Sequence, residues 1–250
     1  MIDMKFEYIP TGVPGMDKIL GDKGIPKGHT ILICGGPGSG KTTFAIQFLY
    51  KGVTEYHEPG LYITLDEDPE DIKNNMSKFG WNLEKLEKEK KLAFVNISPV
   101  RVVPSDKIGL IQLGMKEFKL VKLLEAIRKG IEEVQAQRVI IDPVTIFMLQ
   151  YPDETERIHA MRDLITEFRK TGCTHLLISE LRGTGLEREY QFEEYLSQGV
   201  ILLRTFLKGD NLIRMCQVEK MRGLDVDTQP RPYKITNSGM EVYPDLTVFR

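Results

Sequence analysis

The chain alternates between short apolar runs rich in β-branched residues and longer stretches in which apolar residues recur with a helical period. Such alternation is typical of βαβ units that build a parallel sheet. The runs are continuously apolar, which indicates strands that are covered on both faces. We therefore predict an α/β fold with a mostly parallel central sheet flanked by helices, with core strands at residues 30–34, 61–65, 92–96, 139–142 and 175–179.

The stretches between these runs carry helix start and stop signals. A glycine closes each of the first two helices, and Asp68 followed by Pro69 opens the second. The least regular stretch, residues 98–116, predicts a surface loop. Helices are predicted over residues 41–52, 68–80, 119–135 and 153–170.

After Gly199 the pattern changes to strands separated by turn residues such as GDN and NSG. This pattern predicts an antiparallel meander appended to the parallel core. No internal repeat or low-complexity segment interrupts the chain, so a single domain is expected over residues 1–250. The predicted meander strands are residues 200–206, 212–221, 233–236 and 240–243.

Composition narrows the class of protein. The 250 residues include 34 basic and 36 acidic side chains, with a pI near 6.2, which gives no global attraction to nucleic acid or anionic lipid. The three cysteines are far apart and lack metal-ligand spacing, so we expect a reduced, cytoplasmic setting. No apolar run reaches membrane-spanning length, so no membrane association is expected.

A phosphate-binding motif stands at residues 35–43, which read GGPGSGKTT directly after an apolar strand and at the opening of a helix. Glycines let backbone N–H groups curl around phosphates, and a helix N-terminus adds favourable partial charge. In such a loop the lysine reaches the β- and γ-phosphates and the following hydroxyl holds Mg²⁺. The predicted nucleotide-binding residues are Gly36, Pro37, Gly38, Ser39, Gly40, Lys41, Thr42 and Thr43, with Thr42 also a metal ligand.

Acidic residues follow two of the predicted strands. Asp142 ends the run RVIID, where it is expected to complete the magnesium shell, although an aspartate before Pro143 also suits a turn. Asp66 and Glu67 follow the run LYITL, at the edge where open α/β sheets bind ligands. They are candidates to orient or deprotonate water. Acids also favour the N-terminus of the helix that begins there, so both interpretations of this pair stay open.

Two cations stand together near the end of the chain. The segment VEKMRG places Lys220 and Arg222 two residues apart on a predicted strand, so their side chains point the same way. Two cations aimed together favour an anion. A solvated strand edge explains the pair as well.

These features together resemble one family, the KaiC-like ATPases of the RecA superfamily. The resemblance covers essentially the whole chain. It implies a RecA-like P-loop core that binds and hydrolyses ATP with Mg²⁺. The segments that carry it are TGVPGMDKIL, GIPKGHTILICGGPGSGKTTFAIQFL, YITLDEDPEDI, MSKFGWNLEKL, VIIDPVT and YQFEEYLSQGVILLR leading to VEKMRG.

The resemblance also implies roles for residues near the predicted phosphate site. Glu67 matches the catalytic glutamate of the family, with Asp66 as its neighbour. Ser179 and Glu180 match the position where RecA-like ATPases place polar residues that sense the γ-phosphate. An ordinary strand-end cap explains Ser179 and Glu180 almost as well.

Family members assemble as nucleotide-bridged hexameric rings. By resemblance, Lys220 and Arg222 would reach the γ-phosphate held by the adjacent subunit, and the ring would act as a nucleotide switch for an unknown protein partner. Two segments that the family uses near that interface depart from the family pattern. The glycine triplet before IP is GDKG here, and the aspartate common before GVI is replaced by Gln198.

Two alternative functions are weaker. A signalling autokinase is disfavoured because Glu194 and Tyr195 stand where one branch of the family carries a phosphorylated Ser-Thr pair. A DNA recombination accessory would use the aromatic residues Tyr190, Phe192 and Tyr195 to stack on bases. The segment 181–195 that contains them holds two arginines against four glutamates, which opposes phosphate attraction.

Overall fold

The computed structural model describes residues 7–97, 100–103, 112–115, 120–181 and 190–249. Among these residues, no helix is long and apolar enough to cross a membrane. The elements in chain order are β1 (Tyr8–Ile9), α1 (Met16–Ile19), β2 (Ile25–Pro26), β3 (Thr30–Gly35), α2 (Lys41–Tyr56), β4 (Gly60–Thr64), α3 (Pro69–Ser77), α4 (Leu83–Lys88), β5 (Leu92–Asn96), β6 (Val100–Val103), β7 (Gln112–Met115), α5 (Leu120–Val134), β8 (Arg138–Asp142), α6 (Val144–Met148), α7 (Glu154–Thr171), β9 (Thr174–Glu180), α8 (Phe192–Leu196), β10 (Gly199–Lys208), β11 (Asn211–Met221), β12 (Arg231–Thr236) and β13 (Gly239–Val242).

A nine-stranded sheet in the order β13-β12-β11-β10-β3-β9-β8-β4-β5 forms the centre of the described fold. The six strands from β10 to β5 pair in parallel, and β11, β12 and β13 extend the sheet in antiparallel fashion. All five predicted core strands are present. The predicted α/β class, with a mostly parallel sheet and an antiparallel C-terminal extension, is confirmed.

Apolar side chains cover both faces of the parallel strands. On one face the strands pack against α2 through residues such as Ile33 and Phe48. On the other face they pack against α5 and α7 through residues such as Ile141 and Phe168. Full burial of one such side chain stabilises a fold by about 1.5–3 kcal/mol. The sheet therefore gives a well-packed frame for the loops at its edges.

The first strand after the parallel core differs from its prediction, which placed residues 200–206 in the antiparallel meander. β10 pairs in parallel with β3, where Gly199 aligns with Ile31, and pairs antiparallel with β11. Residues 200–203 are each at most 1% exposed, as expected for a strand covered on both faces. The antiparallel extension thus begins at β11, one strand later than predicted.

The first long helix also differs from its prediction. α2 continues to Tyr56 rather than ending at Gly52, and His57 follows it with a left-handed φ of 59°. A Cβ on Gly52 would lie 2.5 Å from Cδ and Nε of Arg138. The glycine is therefore explained by close packing against an arginine and not by helix termination.

The remaining predicted elements are largely present. Asp68 caps α3 by accepting a hydrogen bond from the Glu70 backbone N–H at 2.8 Å, as its place before Pro69 predicted. In the stretch 98–116, predicted as a loop, β6 and β7 pair as an antiparallel hairpin. The valine-rich run VRVV of β6 favours an extended strand, which the prediction overlooked. The other residues of that stretch lie outside the described ones.

Candidate functional site

Four parallel strands, β3, β9, β8 and β4, end at one edge of the sheet. Open α/β sheets bind ligands at this carboxyl edge, because the loops that follow the strands converge there. One pocket at this edge combines the start of α2 with the loops after β4, β8 and β9. Its lining residues are Lys41, Thr42, Tyr62, Thr64, Asp66, Glu67, Ile72, Asp142, Pro143 and Glu180.

The loop between β3 and α2 has the backbone shape of a phosphate cradle. Gly38 and Gly40 have φ values of 71° and 87°, which glycine adopts without a steric cost. A Cβ placed on Gly36 or Gly38 would meet nothing within 4 Å, so the loop faces open space there. Pro37 is exposed at its tip. The loop therefore has room for a bound phosphate chain.

The C-terminal extension supports this loop from behind. Ser39 is fully buried, and its backbone carbonyl accepts a hydrogen bond from the hydroxyl of Tyr233 on β12. A Cβ on Gly40 would lie 2.6 Å from Cδ1 of Ile235 on the same strand. The antiparallel strands thus hold the loop against the core, although they lie far from it in sequence.

Lys41 lies over the loop that precedes it. Its Nζ donates to the carbonyl oxygens of Gly35 and Gly36 at 2.9 and 3.1 Å. Burial lowers the pKa of Lys41, and the charges of Asp142 and Glu180 act in the opposite direction. The lysine is therefore a partly buried cation at the mouth of the cradle.

Two hydroxyl groups converge on the carboxylate of Asp142. Thr42 Oγ1 donates to Asp142 Oδ2 at 3.0 Å, and the hydroxyl of Tyr62 donates to the same oxygen. Burial raises the pKa of Asp142, while these two hydrogen bonds and the charge of Lys41 oppose that rise. The adjacent Thr43 is buried in the first turn of α2. A hydroxyl and a carboxylate thus meet as oxygen donors of the kind that Mg²⁺ prefers.

The acidic pair after β4 borders the same pocket. Asp66 and Glu67 are both exposed, and Thr64 fixes their turn because its hydroxyl donates to the Glu67 carbonyl at 2.7 Å. Partial burial raises the pKa of Glu67, and the nearby carboxylates of Asp142 and Asp66 raise it further. Glu67 therefore binds a proton more readily than an isolated glutamate.

The two residues at the end of β9 lie on opposite faces of the sheet. Glu180 lines the pocket with Lys41. Ser179 is buried on the other face, where its hydroxyl lies 3.5 Å from Thr145 Oγ1 and donates to Glu193 at 3.4 Å. Glu180 therefore lines the pocket beside Lys41, and Ser179 is not among the residues that line it.

Lys220 and Arg222 lie away from this pocket. Lys220 Nζ donates to the carbonyl of Glu194 at 2.5 Å, and Arg222 Nη2 donates to the carbonyl of Tyr195 at 3.2 Å. Both side chains thus point toward the end of α8. They lie on the same side of their strand, as the two-residue spacing predicted. Since Gly199 at the start of β10 pairs with both β3 and the end of β11, they lie at the amino edge of the sheet.

Sequence analysis missed three residues at this site. Tyr62 and Thr64 lie on β4, two residues apart and therefore on one face, but both read as part of an apolar core strand. Tyr233 reads as a strand residue of the extension. The alternation of side chains along β4 puts Tyr62 and Thr64 on one face. The sequence does not say that β8 lies next to β4, and that neighbour is what brings Tyr62 to the pocket.

The chain matches the protein family described as ATPase: KaiC over residues 9–247. It is 35% identical over 235 residues to the circadian clock oscillator protein KaiC of Synechococcus elongatus, a match that covers 94% of this chain and 44% of that protein. It is 34% identical over 249 residues to UPF0273 protein MJ1359 of Methanocaldococcus jannaschii, covering 95% and 96% of the two chains. The chain thus spans less than half the length of the clock protein.

Among solved structures, the KaiC-like protein PH0186 from Pyrococcus horikoshii OT3 matches with a TM-score of 0.80 and 33% identity, covering 96% of this chain and all of that one. The parallel sheet, the phosphate loop after β3 and the antiparallel extension define a RecA-like core. With the family match over nearly the whole chain, they show that this protein belongs to the KaiC ATPase family.

Proposed function

We propose that this chain binds ATP together with Mg²⁺ and hydrolyses it, so that ATP and water yield ADP and inorganic phosphate. The observation that carries the proposal is the hydrogen bond between Thr42 and Asp142, beside Lys41 and Glu67 in one pocket. Phosphate-loop ATPases use this combination of hydroxyl, carboxylate and lysine. We further propose that residues 1–250 work as a single ATPase domain.

The phosphate loop would bind the nucleotide. Backbone N–H groups of residues 36–43 would donate to the phosphates, and Lys41 would exchange its two carbonyl partners for the β- and γ-phosphates. Thr42 would be a ligand of the metal, and one carboxylate oxygen of Asp142 would hold the metal or its water shell. Bound Mg²⁺ supplies neutralisation of the charge that develops on the phosphates.

Glu67 is the proposed catalytic base. Its raised pKa favours proton uptake from the attacking water, because a base is most effective when its pKa approaches the working pH. Asp66 would support this role through its charge. Ser179 and Glu180 are proposed to sense the γ-phosphate by different routes, Glu180 through Lys41 and Ser179 through Thr145.

Lys220 and Arg222 are proposed to complete the site of an adjacent copy of the chain. Their place at the amino edge supports this, because residues there face away from the pocket of their own chain. A head-to-tail contact between identical chains would join the amino edge of one copy to the carboxyl edge of the next and close into a ring, which we propose to be a hexamer. The ring would then act as a nucleotide-controlled switch for a protein partner.

The test of this proposal combines two variants. Glu67→Gln and Arg222→Ala are assayed for phosphate release, each alone and after mixing and reassembly. We expect both to be inactive alone and about a quarter of the sites to recover in a random equal mixture, because such a site needs one intact residue from each of two neighbours. Failure to recover activity, although mixed oligomers form, would rule out the contribution of Arg222 to a neighbouring site.

Arg169→Ala is the matched control for the loss of an arginine. Arg169 is exposed in the last turn of α7, and its charge contributes to lowering the pKa of His29. Since His29 also contacts the Arg222 carbonyl, Arg169 lies near the same edge of the sheet. We expect this variant to retain phosphate release without mixing. Equal loss of activity in Arg169→Ala and Arg222→Ala would indicate a general charge effect instead of a contact with the γ-phosphate.

A second candidate function is binding of single-stranded DNA as a recombination accessory. The observation that favours it is a pair of exposed tyrosines, Tyr190 and Tyr195, 58% and 65% exposed with ring centroids 6.2 Å apart. Exposed aromatic rings stack on unpaired bases. Stimulation of phosphate release by single-stranded DNA, lost in Tyr195→Ala, would support it, and an unchanged rate would exclude it.

A further inference from the structure

Tyr62 is buried deep in β4, yet its hydroxyl reaches the candidate metal site. The side chain is 0% exposed, and its ring packs against Phe94 at a centroid distance of 5.4 Å. A phenylalanine would supply the same packing. The hydroxyl is accommodated because it donates to Asp142 and also contacts Thr42, since an unpaired buried hydroxyl would cost about 1–3 kcal/mol.

The hydrogen bonds of Asp142 are distributed unevenly over its carboxylate. Thr42 and Tyr62 both donate to Oδ2. A carboxylate oxygen offers about two lone-pair directions, so these two donors saturate Oδ2. Oδ1 is the oxygen left for the metal or its water shell, and the two donors on Oδ2 disfavour binding of a metal through both oxygens of Asp142.

This distribution favours one class of cation. Mg²⁺ is small, requires nearly octahedral geometry and keeps several of its waters, so it is served by a carboxylate that presents one oxygen. Ca²⁺ takes six to eight oxygen ligands in flexible geometry and often binds a carboxylate through both oxygens. A donor that occupies Oδ2 therefore penalises Ca²⁺ more than Mg²⁺.

We propose that Tyr62 is a positioning residue that orients Asp142 and sets the preference of the nucleotide site for Mg²⁺ over Ca²⁺. The inference rests on the proposed function, because it concerns the metal that accompanies the nucleotide. Tyr62 acts through Asp142 and does not touch the metal. Partners that orient metal-binding groups in this way typically contribute about 10–100-fold to metal affinity.

The experiment measures metal-dependent nucleotide binding without turnover. A fluorescent, non-hydrolysable ATP analogue is titrated with Mg²⁺ and separately with Ca²⁺, using the wild-type chain and Tyr62→Phe. We expect the Mg²⁺ midpoint of Tyr62→Phe to rise about 10-fold, the Ca²⁺ midpoint to change less, and binding in EDTA to be unchanged. Equal shifts for the two cations, or no shift, would overturn the inference.

Two further measurements isolate the hydroxyl. Tyr243→Phe is the matched control, because Tyr243 also donates its hydroxyl to a carboxylate, that of Glu241, but does not line the pocket. We expect its Mg²⁺ midpoint to match that of the wild type. In an Asp142→Asn background, Tyr62→Phe should have no additional effect, since the two residues act as one unit. An undiminished effect in that background would contradict a role through Asp142.

A second replacement tests the role of the Tyr62 hydroxyl in the Mg²⁺ preference even if Tyr62→Phe does not fold. Site-specific 3-fluorotyrosine at position 62 preserves the ring and strengthens the hydroxyl as a donor, so the Mg²⁺ preference should increase. An unchanged preference would overturn the inference. If the wild-type chain itself binds the analogue without any metal dependence, the proposed function fails first, which separates the two failures.

Discussion

The two edges of the parallel sheet carry opposite chemistry. At the carboxyl edge four carboxylates, those of Asp66, Glu67, Asp142 and Glu180, surround Lys41 in a pocket. At the amino edge a pair of cations lies against the backbone carbonyls of α8. The six residues of β3 separate the two edges by about 17 Å. The sheet itself therefore keeps the carboxylates of the pocket apart from the cation pair of the same chain.

Helix α8 contacts both regions. The carboxylate of Glu193 accepts a hydrogen bond from Ser179, next to the pocket residue Glu180. The carbonyls of Glu194 and Tyr195 accept hydrogen bonds from the two cations. One short helix therefore lies between the strand end beside the pocket and the proposed interface with a neighbour.

The largest expected effect belongs to the carboxyl edge. Lys41→Met should lower phosphate release about 10³-fold, because under the proposed function it removes the positive charge that would stabilise the developing phosphate charge. Lys51→Met is the matched control on the same helix, where Lys51 pairs with Glu55 at the surface. A steady-state assay of phosphate release measures the rates of the two variants and of the wild type. Similar losses of activity in both variants would show that the lysine in the pocket contributes no more than a lysine on the helix surface.

The next effect tests the structural role of the amino edge. Arg138 is fully buried, and its Nε donates to Glu58 at 2.6 Å. Glu58→Ala should lower the free energy of unfolding by about 3–5 kcal/mol, because it leaves a buried cation without its partner. Urea unfolding measures this change. The metal dependence of nucleotide binding should be unaffected.

The control for that prediction is an exposed ion pair on α2, the helix that ends two residues before Glu58. Glu55→Ala removes the partner of Lys51 and should change the free energy of unfolding by only about 0–1 kcal/mol. A loss of the same size in Glu55→Ala and Glu58→Ala would mean that burial of Arg138 does not determine the cost.

A third prediction concerns stability at the pocket. Because burial raises the pKa of Asp142, its charged form destabilises the chain without ligand, and Asp142→Asn should increase the free energy of unfolding by about 0.5–2 kcal/mol at neutral pH. The gain should be largest above the folded pKa and should shrink as the pH falls through it, because the protonated aspartate no longer carries the buried charge. Thermal unfolding against pH provides the measurement. A gain that grows on acidification would contradict it.

The smallest expected effect concerns a single hydrogen bond at the amino edge. Gln198 Oε1 accepts a hydrogen bond from the Thr30 backbone N–H at 2.9 Å and so caps the start of β3. Gln198→Asp shortens the side chain by one methylene and should cost about 0.5–1.5 kcal/mol if the bond is lost. Gln198→Glu retains the reach and serves as the control. Equal unfolding curves for the aspartate and wild-type chains would show that the cap contributes nothing.

Much of the fold followed from local patterns, because the five core strands read as continuous apolar runs bounded by helix signals. The errors arose where one residue type serves two purposes. Gly52 signals a helix end but instead makes room for Arg138, which lies 86 positions later in the numbering of the chain. Residues 200–206 have the composition of a meander strand, and only their neighbour β3 makes β10 part of the parallel core.

The candidate site divides in the same way. The glycine-rich loop and Asp142 could be singled out as candidates from the sequence, because they belong to a contiguous motif and a strand end. The hydrogen bond from Tyr62 to Asp142 spans a separation of 80 residues and could not. Ser179 and Glu180 had to lie on opposite faces of a strand, but the sequence does not say which face meets the loop.

By itself the sequence determined the class of protein: its hydrophobic periods dictate the alternating strands and helices, and the glycine-rich loop with its lysine and threonine indicates a candidate phosphate site. The tertiary structure decided which side chains meet, because strand order brings distant residues to one edge and separates near ones. Tyr62 thereby reaches Asp142, and Tyr233 supports the phosphate loop. Lys220 and Arg222 come to the edge opposite the pocket for the same reason, since the antiparallel return of β11 carries its end back to the start of β10.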